Sequence, residues 1–224
     1  MQLEEAVLSR RSIRAYRPDP VPPAVLQELV ELARWAPSAA NTQPWEFTVV
    51  GGGPLQELRS RLRAAVATDP VGKPEMTWPT NLPERIKARR LEIGNTTFQA
   101  LGIGAGDQSK KDAWFLKGVG FFDAPQVIVL TMERCFTDLA IMDVGAIAFG
   151  LELLAHGRGL GTCPQAGPLR YPWIFHEVLR IPESKRVMLA MPIGYPDLDA
   201  QVNHFPRTRA TTGDLLAWVG IGSE

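Results

Sequence analysis

The sequence predicts a sandwich of the mixed α/β or α+β class, with a mixed central sheet flanked by helices around a buried central helix. Three observations predict it. Val127-Ile128-Val129-Leu130-Thr131 is a continuous apolar run, the pattern of a strand covered on both faces. Leu139 to His156 is apolar nearly all round, the pattern of a fully buried helix. Between and around these, stretches of helical and strand pattern alternate, with no internal repeat and no low-complexity segment.

Taken in order, Leu3, Ala6 and Val7 give a short first helix ending near Ser9. Ile13 to Arg17 is extended, because Pro18 and Pro20 forbid helix around them. Pro22 and Pro23 open a second helix, where a missing amide proton costs little, and Val25, Leu26, Leu29, Val30, Leu32 and Ala33 recur at helical period. Pro37 ends it. Phe47 to Val50 is a short strand stopped by Gly51-Gly52-Gly53, and a helix follows from about Pro54 to Ala67. Residues 68–112 form an excursion or lid, Pro-rich, with one helix from about Pro83 to Ala100. The glycines at 102, 104 and 106 open no evident helix. Tyr171 to Leu179 is a helix, Arg186 to Ile193 a strand, Gly194 to Asp197 a turn, and a short helix near Leu215 to Val219 closes the chain. The excursion is too small to hold its own core, so the 224 residues read as a single domain.

Composition narrows the function. Lys plus Arg equals Asp plus Glu, 24 each, which does not suit a nucleic-acid binder. The dense basic segments are Arg10 to Arg17 and Arg85 to Arg90, and the second has the spacing of a solvated helix face. The two cysteines, Cys135 and Cys163, make no disulfide framework and have no metal-ligand spacing. Met1-Gln2-Leu3-Glu4-Glu5 is acidic where a signal peptide is basic. The longest apolar stretch is too short and too polar to span a bilayer. These features predict a cytoplasmic protein with no nucleic-acid or membrane partner.

Side-chain catalysts are scarce. His156, His176 and His204 are scattered, with no matching serine, cysteine or ligand set. Cys163 reads as a packed thiol with nothing basic beside it, and Asp143 and Glu152 as hydrogen-bonded structural groups. Arg10-Arg11-Ser12-Ile13-Arg14 stands apart. Guanidinium forks match phosphate or carboxylate, although a plain basic patch has the same composition. Thirty residues on comes Pro37-Ser38-Ala39-Ala40-Asn41-Thr42-Gln43-Pro44-Trp45, a loop of small and polar residues.

With Gly159-Leu160-Gly161-Thr162-Cys163-Pro164-Gln165-Ala166 and the closing stretch Asn203 to Arg209, these motifs resemble the nitroreductase family of flavoproteins over about residues 3–215. The resemblance, nearest to its nitrobenzoate-reductase-like branch, implies an α+β homodimer with FMN at the subunit interface and NADH or NADPH as hydride donor. It implies that Arg10, Arg11, Ser12 and Arg14 hold the flavin's phosphate, ribityl and pyrimidine oxygens, and that Arg207 and Arg209 complete the phosphate site. It assigns Pro37, Ser38, Ala39, Asn41 and Gln43 to the partner's flavin, and Pro164, Gln165 and Ala166 to the ring, with a backbone amide near N5. No catalytic side chain is then required, because the flavin carries the chemistry. The implied activity is ping-pong reduction of nitroaromatic, quinone or similar electron-poor small molecules. Reduction of activated alkenes, or slow-turnover FMN binding or storage, remains open on the same scaffold. One departure is Gly118, where the family has an amide side chain, with Lys117 beside it. Trp114, Phe115, Phe121 and Phe122 either line a slot for a flat substrate or belong to the core.

Overall fold

A computed structural model describes residues 1–221. The chain forms α1 (Leu3–Ser9), α2 (Pro23–Ala33), β1 (Glu46–Gly51), α3 (Gly52–Thr68), α4 (Glu84–Ala100), α5 (Gln108–Val119), β2 (Gln126–Glu133), α6 (Ala140–His156), β3 (Gly161–Thr162), α7 (Pro172–Leu179), β4 (Lys185–Gly194) and α8 (Thr212–Leu215). The strands form one sheet in the order β1-β2-β4-β3. It separates α2 and α6 on one face from α3 and α7 on the other.

β2 explains the layering. Its residues alternate faces, as a strand requires. Ile128, Leu130 and Met132 pack with Leu26 and Leu29 of α2 and with Ile147 and Leu151 of α6. Val127 and Val129 pack with Leu55, Leu58 and Leu62 of α3 and with Ile174 and Phe175 of α7. Both faces are covered, so the strand carries no polar alternation. Each such side chain contributes about 1.5–3 kcal/mol on burial.

Several expectations need correction. All four strands pair antiparallel, and parallel pairing survives only as an isolated bridge between Ser12 and Thr162. Hence the apolar β2 run reflects two-sided cover rather than parallel neighbours. α6 is not fully buried in the single chain: Ile141, Met142 and Phe149 are exposed on one side. The excursion carries the start of α5 as well as α4. The glycines mislead because Gly102 closes α4 in a left-handed conformation (φ 65°), with Ile103 N donating back to Phe98 O at 2.8 Å. α5 then starts within two residues of Gly106. The last helix lies at Thr212–Leu215, held by a reciprocal Thr211–Asp214 cap, rather than at Leu215 to Val219.

The excursion is anchored to the core. The Glu75 carboxylate accepts from Val187 N at 2.9 Å and pairs with Arg134. Tyr171 Oη donates to Asp69 O at 2.7 Å, and the Arg170 guanidinium lies 4.7 Å from the Trp78 ring centre. Phe121 and Phe122 are core residues, Trp114 packs against Phe122 at 5.1 Å, and Phe115 is exposed.

A candidate anion pocket

The segment Arg10 to Tyr16 runs along the sheet edge at β3. Ile13 N donates to Thr162 O at 2.9 Å, and Ser12 and Thr162 form the parallel bridge. Gly161 makes this approach possible: a Cβ there would stand 2.5 Å from Ile13 Cγ1.

The C-terminal strap reaches the same edge, and Asn203 ties the two together. Its Nδ2 donates to Ala15 O (2.9 Å) and Asp197 O (2.8 Å). Its Oδ1 accepts from Arg14 N at 2.8 Å, and its carbonyl accepts from Arg11 Nη1 at 2.6 Å. Arg207 donates to Leu8 O and Arg10 O, where the α1 carbonyls lack helical partners. The Arg14 guanidinium lies 5.6 Å from the Phe205 ring centre.

These contacts enclose a cavity of about 170 Å³ lined by Arg10, Arg11, Ser12, Arg14, Ile93, Val202, Asn203, Phe205, Arg207 and Arg209. Two segments nearly two hundred residues apart thus meet as the motifs suggest. Asn203 and Phe205 were legible only as part of an anchor. The buried amide of Asn203 sets the geometry, and no local pattern signals that.

The cavity is electrostatically one-sided. Among the described residues, Arg10 alone of the five arginines pairs with a carboxylate, that of Glu152, at 2.6 Å. Burial first, then Arg11, Arg209 and Arg10, lowers the Arg207 pKa. Nearby, His156 is lowered by burial and then by Arg10 and Arg207. Ser9 Oγ lies 2.6 Å from Glu5 O and 2.7 Å from His156 Nε2. Arg10 Nε is buried with no partner. A surplus of donors and positive charge on mostly half-buried arginines suits a multiply charged anion.

Cys163 lies behind this wall. Its Sγ accepts from Gln165 Nε2 at 3.2 Å. Burial pushes the thiol pKa up against the opposing pull of Arg14. A basic group does therefore stand near it, contrary to expectation, but desolvation dominates and the thiol stays protonated. Gln165 N is engaged with Ala190 O at 2.9 Å, which leaves the Ala166 N–H as the unpaired backbone donor of the expected pair.

The loop carrying Pro37, Ser38, Ala39, Asn41 and Gln43 does not line the cavity. Ala40, Asn41 and Gln43 hold left-handed φ values of 50°, 56° and 46°. Ser38 Oγ accepts from Gln43 N at 3.0 Å, and Asp143 of α6 accepts from Ala39 N at 3.3 Å. Such strain costs about 1–3 kcal/mol per residue and clusters at functional sites. Pro164 and Ala166 also lie outside the cavity lining, with Gln165 linked to it through Cys163. Gly118 on α5 packs beside Phe122, so no amide side chain stands there. Among the described residues no cluster has the makings of a metal site, and no helix is long and apolar enough to cross a membrane.

Fold and pocket define an α+β protein with a cationic seat at one sheet edge. The nitroreductase family profile matches residues 7–195, and the chain belongs to that family. It is 31% identical over 218 residues to a 4-nitrobenzoate reductase of Pseudomonas putida, covering 97% of this chain and 96% of that protein. It is 30% identical to the nitroreductase NfnB of Mycolicibacterium smegmatis, covering 89% and 85%. The crystal structure of an FMN- and NADPH-dependent nitroreductase NfnB from Sphigopyxis sp. strain HMH superposes with a TM-score of 0.95 at 29% identity, covering 99% and 100%. The FMN-dependent NfnB of Mycobacterium smegmatis, solved with NADPH, superposes at 0.90 with 29% identity, covering 96% and 97%.

Proposed function

We propose that the protein is a homodimeric FMN-dependent oxidoreductase that uses NADH or NADPH to reduce nitroaromatic, quinone or similar electron-poor molecules. The observation that carries this is the cavity lined by five arginines, of which Arg10 pairs with Glu152 outside the lining, in a chain of this family. An FMN phosphate carries nearly two charges and needs several charge-assisted donors, and the unpartnered Arg10 Nε is one. Arg10, Arg11, Arg207 and Arg209 bind the phosphate, Ser12 the ribityl chain, and Arg14 the pyrimidine edge. Arg14 stabilises the electron density which that edge gains on reduction. The free N–H of Ala166 serves N5, and Pro164 and Gln165 flank the ring. FMN, when bound, supplies two-electron hydride transfer from NAD(P)H to the acceptor in alternating half-reactions. The protein's part is to hold the ring, keep one face open and exclude side reactions.

The second chain completes the site. The arginine cavity of one chain measures about 170 Å³, below the roughly 300–1,000 Å³ of ligand clefts, and a neighbouring cleft of about 560 Å³ shares Ile93 and Phe205 with it. The strained, exposed loop with Pro37, Ser38, Ala39, Asn41 and Gln43 contacts the N-terminal part of α6, next to exposed Ile141, Met142 and Phe149. A two-fold axis along this apolar face presents that loop to the partner's cavity. Each chain acts as a single FMN-binding domain, with residues 68–112 as a lid. Ile93 of α4 already lines the cavity.

Purified protein should be yellow, dimeric by analytical ultracentrifugation, and hold two FMN per dimer. NADH or NADPH should bleach it within seconds under nitrogen, and a nitroaromatic should restore the colour. Colourless protein that cannot be reconstituted refutes flavin binding. Bleaching over many minutes instead indicates a storage protein. A monomer with stoichiometric FMN and full activity refutes the shared site.

A further inference from the structure

The family motifs leave one charged group of the pocket unexplained. Glu152 sits in the middle of α6 with its residue only 7% exposed. A carboxylate inside so apolar a helix faces a desolvation penalty, and burial pushes its pKa up while Arg10 opposes the shift. Its Oε2 accepts from Arg10 Nη1 at 2.6 Å. Glu152 does not line the anion cavity, whereas Arg10 does. It therefore touches the guanidinium away from the cavity. A guanidinium has five N–H donors in a rigid fork, so one bond through Nη1 leaves others for a ligand. Arg10 Nε is itself buried and unpartnered. The Arg10 carbonyl is fixed independently by Arg207. Among the described residues, the guanidinium groups of Arg11, Arg14, Arg207 and Arg209 donate only to backbone carbonyls.

We infer that Glu152 is a positioning residue: it fixes the Arg10 guanidinium in the anion pocket, and so sets affinity for the phosphate group of the flavin nucleotide without touching it. A free Arg10 has many rotamers and must give them up on binding, whereas the Glu152 pair settles that orientation beforehand. The effect is confined to the phosphate. The ribityl chain and ring are held by other residues.

The inference rests on the FMN reading above, and the test separates the two. FMN and riboflavin differ by the phosphate alone. Dissociation constants for both are measured by flavin-fluorescence quenching on wild type, Glu152→Leu, Glu152→Gln and Arg10→Ala. Wild type should bind FMN more tightly than riboflavin, and no such preference would overturn the FMN reading together with this inference. Glu152→Leu should weaken FMN about ten- to a hundred-fold, with riboflavin unchanged within about twofold. Glu152→Gln retains an acceptor for Nη1 and should fall between. In the Arg10→Ala background Glu152→Leu should add nothing, because the group it positions is gone. Equal weakening of both flavins would mean a merely structural role and overturn the inference. So would unchanged FMN binding, or tighter binding from loss of a competing carboxylate. If Glu152→Leu does not fold, the FMN-to-riboflavin ratio of Glu152→Gln decides, and an unaltered ratio overturns the inference.

Discussion

Gly161→Ala tests whether the close approach of β3 to the arginine segment builds the pocket. An added Cβ would stand 2.5 Å from Ile13 Cγ1, 2.8 Å from Ile13 Cβ and 2.9 Å from Ile13 Cγ2. Real Cβ atoms do not come that close, so something must move. Ile13 is β-branched, 7% exposed, and its N–H is bonded to Thr162 O, so it cannot rotate away. Gly161 has no left-handed φ, so the cost is steric and not conformational. Overpacking of this kind costs about 1–3 kcal/mol. In a chain of this length that is a fall in Tm of about 2–12 °C. The relief is a shift of the extended segment, and Ser12 and Arg14 flank Ile13 on it. FMN affinity should therefore drop by at least about tenfold, or 1.4 kcal/mol. A thermal melt of the apo protein and a fluorescence titration with FMN measure the two effects. Unchanged Tm and unchanged affinity would refute the claim that this contact positions the pocket. Lower Tm with unchanged affinity would make it a stability contact only.

Three further outcomes are expected. Arg14→Ala should weaken FMN about ten- to a hundred-fold, the loss of one charge-assisted contact of roughly 1.5–3 kcal/mol, and an unaltered titration would remove Arg14 from the site. Gly94→Ala, in the interior of α4 where a Cβ meets nothing within 4 Å, should stabilise the protein by about 0.5–1 kcal/mol, and a lower Tm would contradict the open space there. His156 should titrate below the ordinary histidine range in the apo protein and rise when FMN is added, since a bound anion offsets Arg10 and Arg207. Across that range the folded chain binds fewer protons than the unfolded one, so this group's contribution to stability grows as pH rises; NMR titration of the ring protons at or above the ordinary value would refute the burial argument.

The sequence by itself determined the layers and the chemistry. β2 announces its two covered faces because a side chain that meets no water has no reason to be polar, whereas the apolar pattern of α6 extends to Ile141, Met142 and Phe149, which the single chain leaves exposed. Pro23 marks a helix start because proline lacks the amide proton that a first turn leaves unpaired. Arg10, Arg11 and Arg14 offered a candidate anion motif, because guanidinium geometry is a property of the residue type, but a plain basic patch has the same composition. What only the tertiary structure decided depends on contacts between distant segments. Nothing local to Arg207 places it beside the first motif; the Asn203 contacts that tie the strap to Arg14 and Ala15 do. Strand direction was not legible, because an apolar run records burial and not the sense of its neighbour. α5 was hidden because glycine that ends one helix and glycine that opens a loop read alike until φ is known. Glu152 read as a structural group, since its partner Arg10 lies 142 residues away and the desolvation that fixes its role exists only in the folded core.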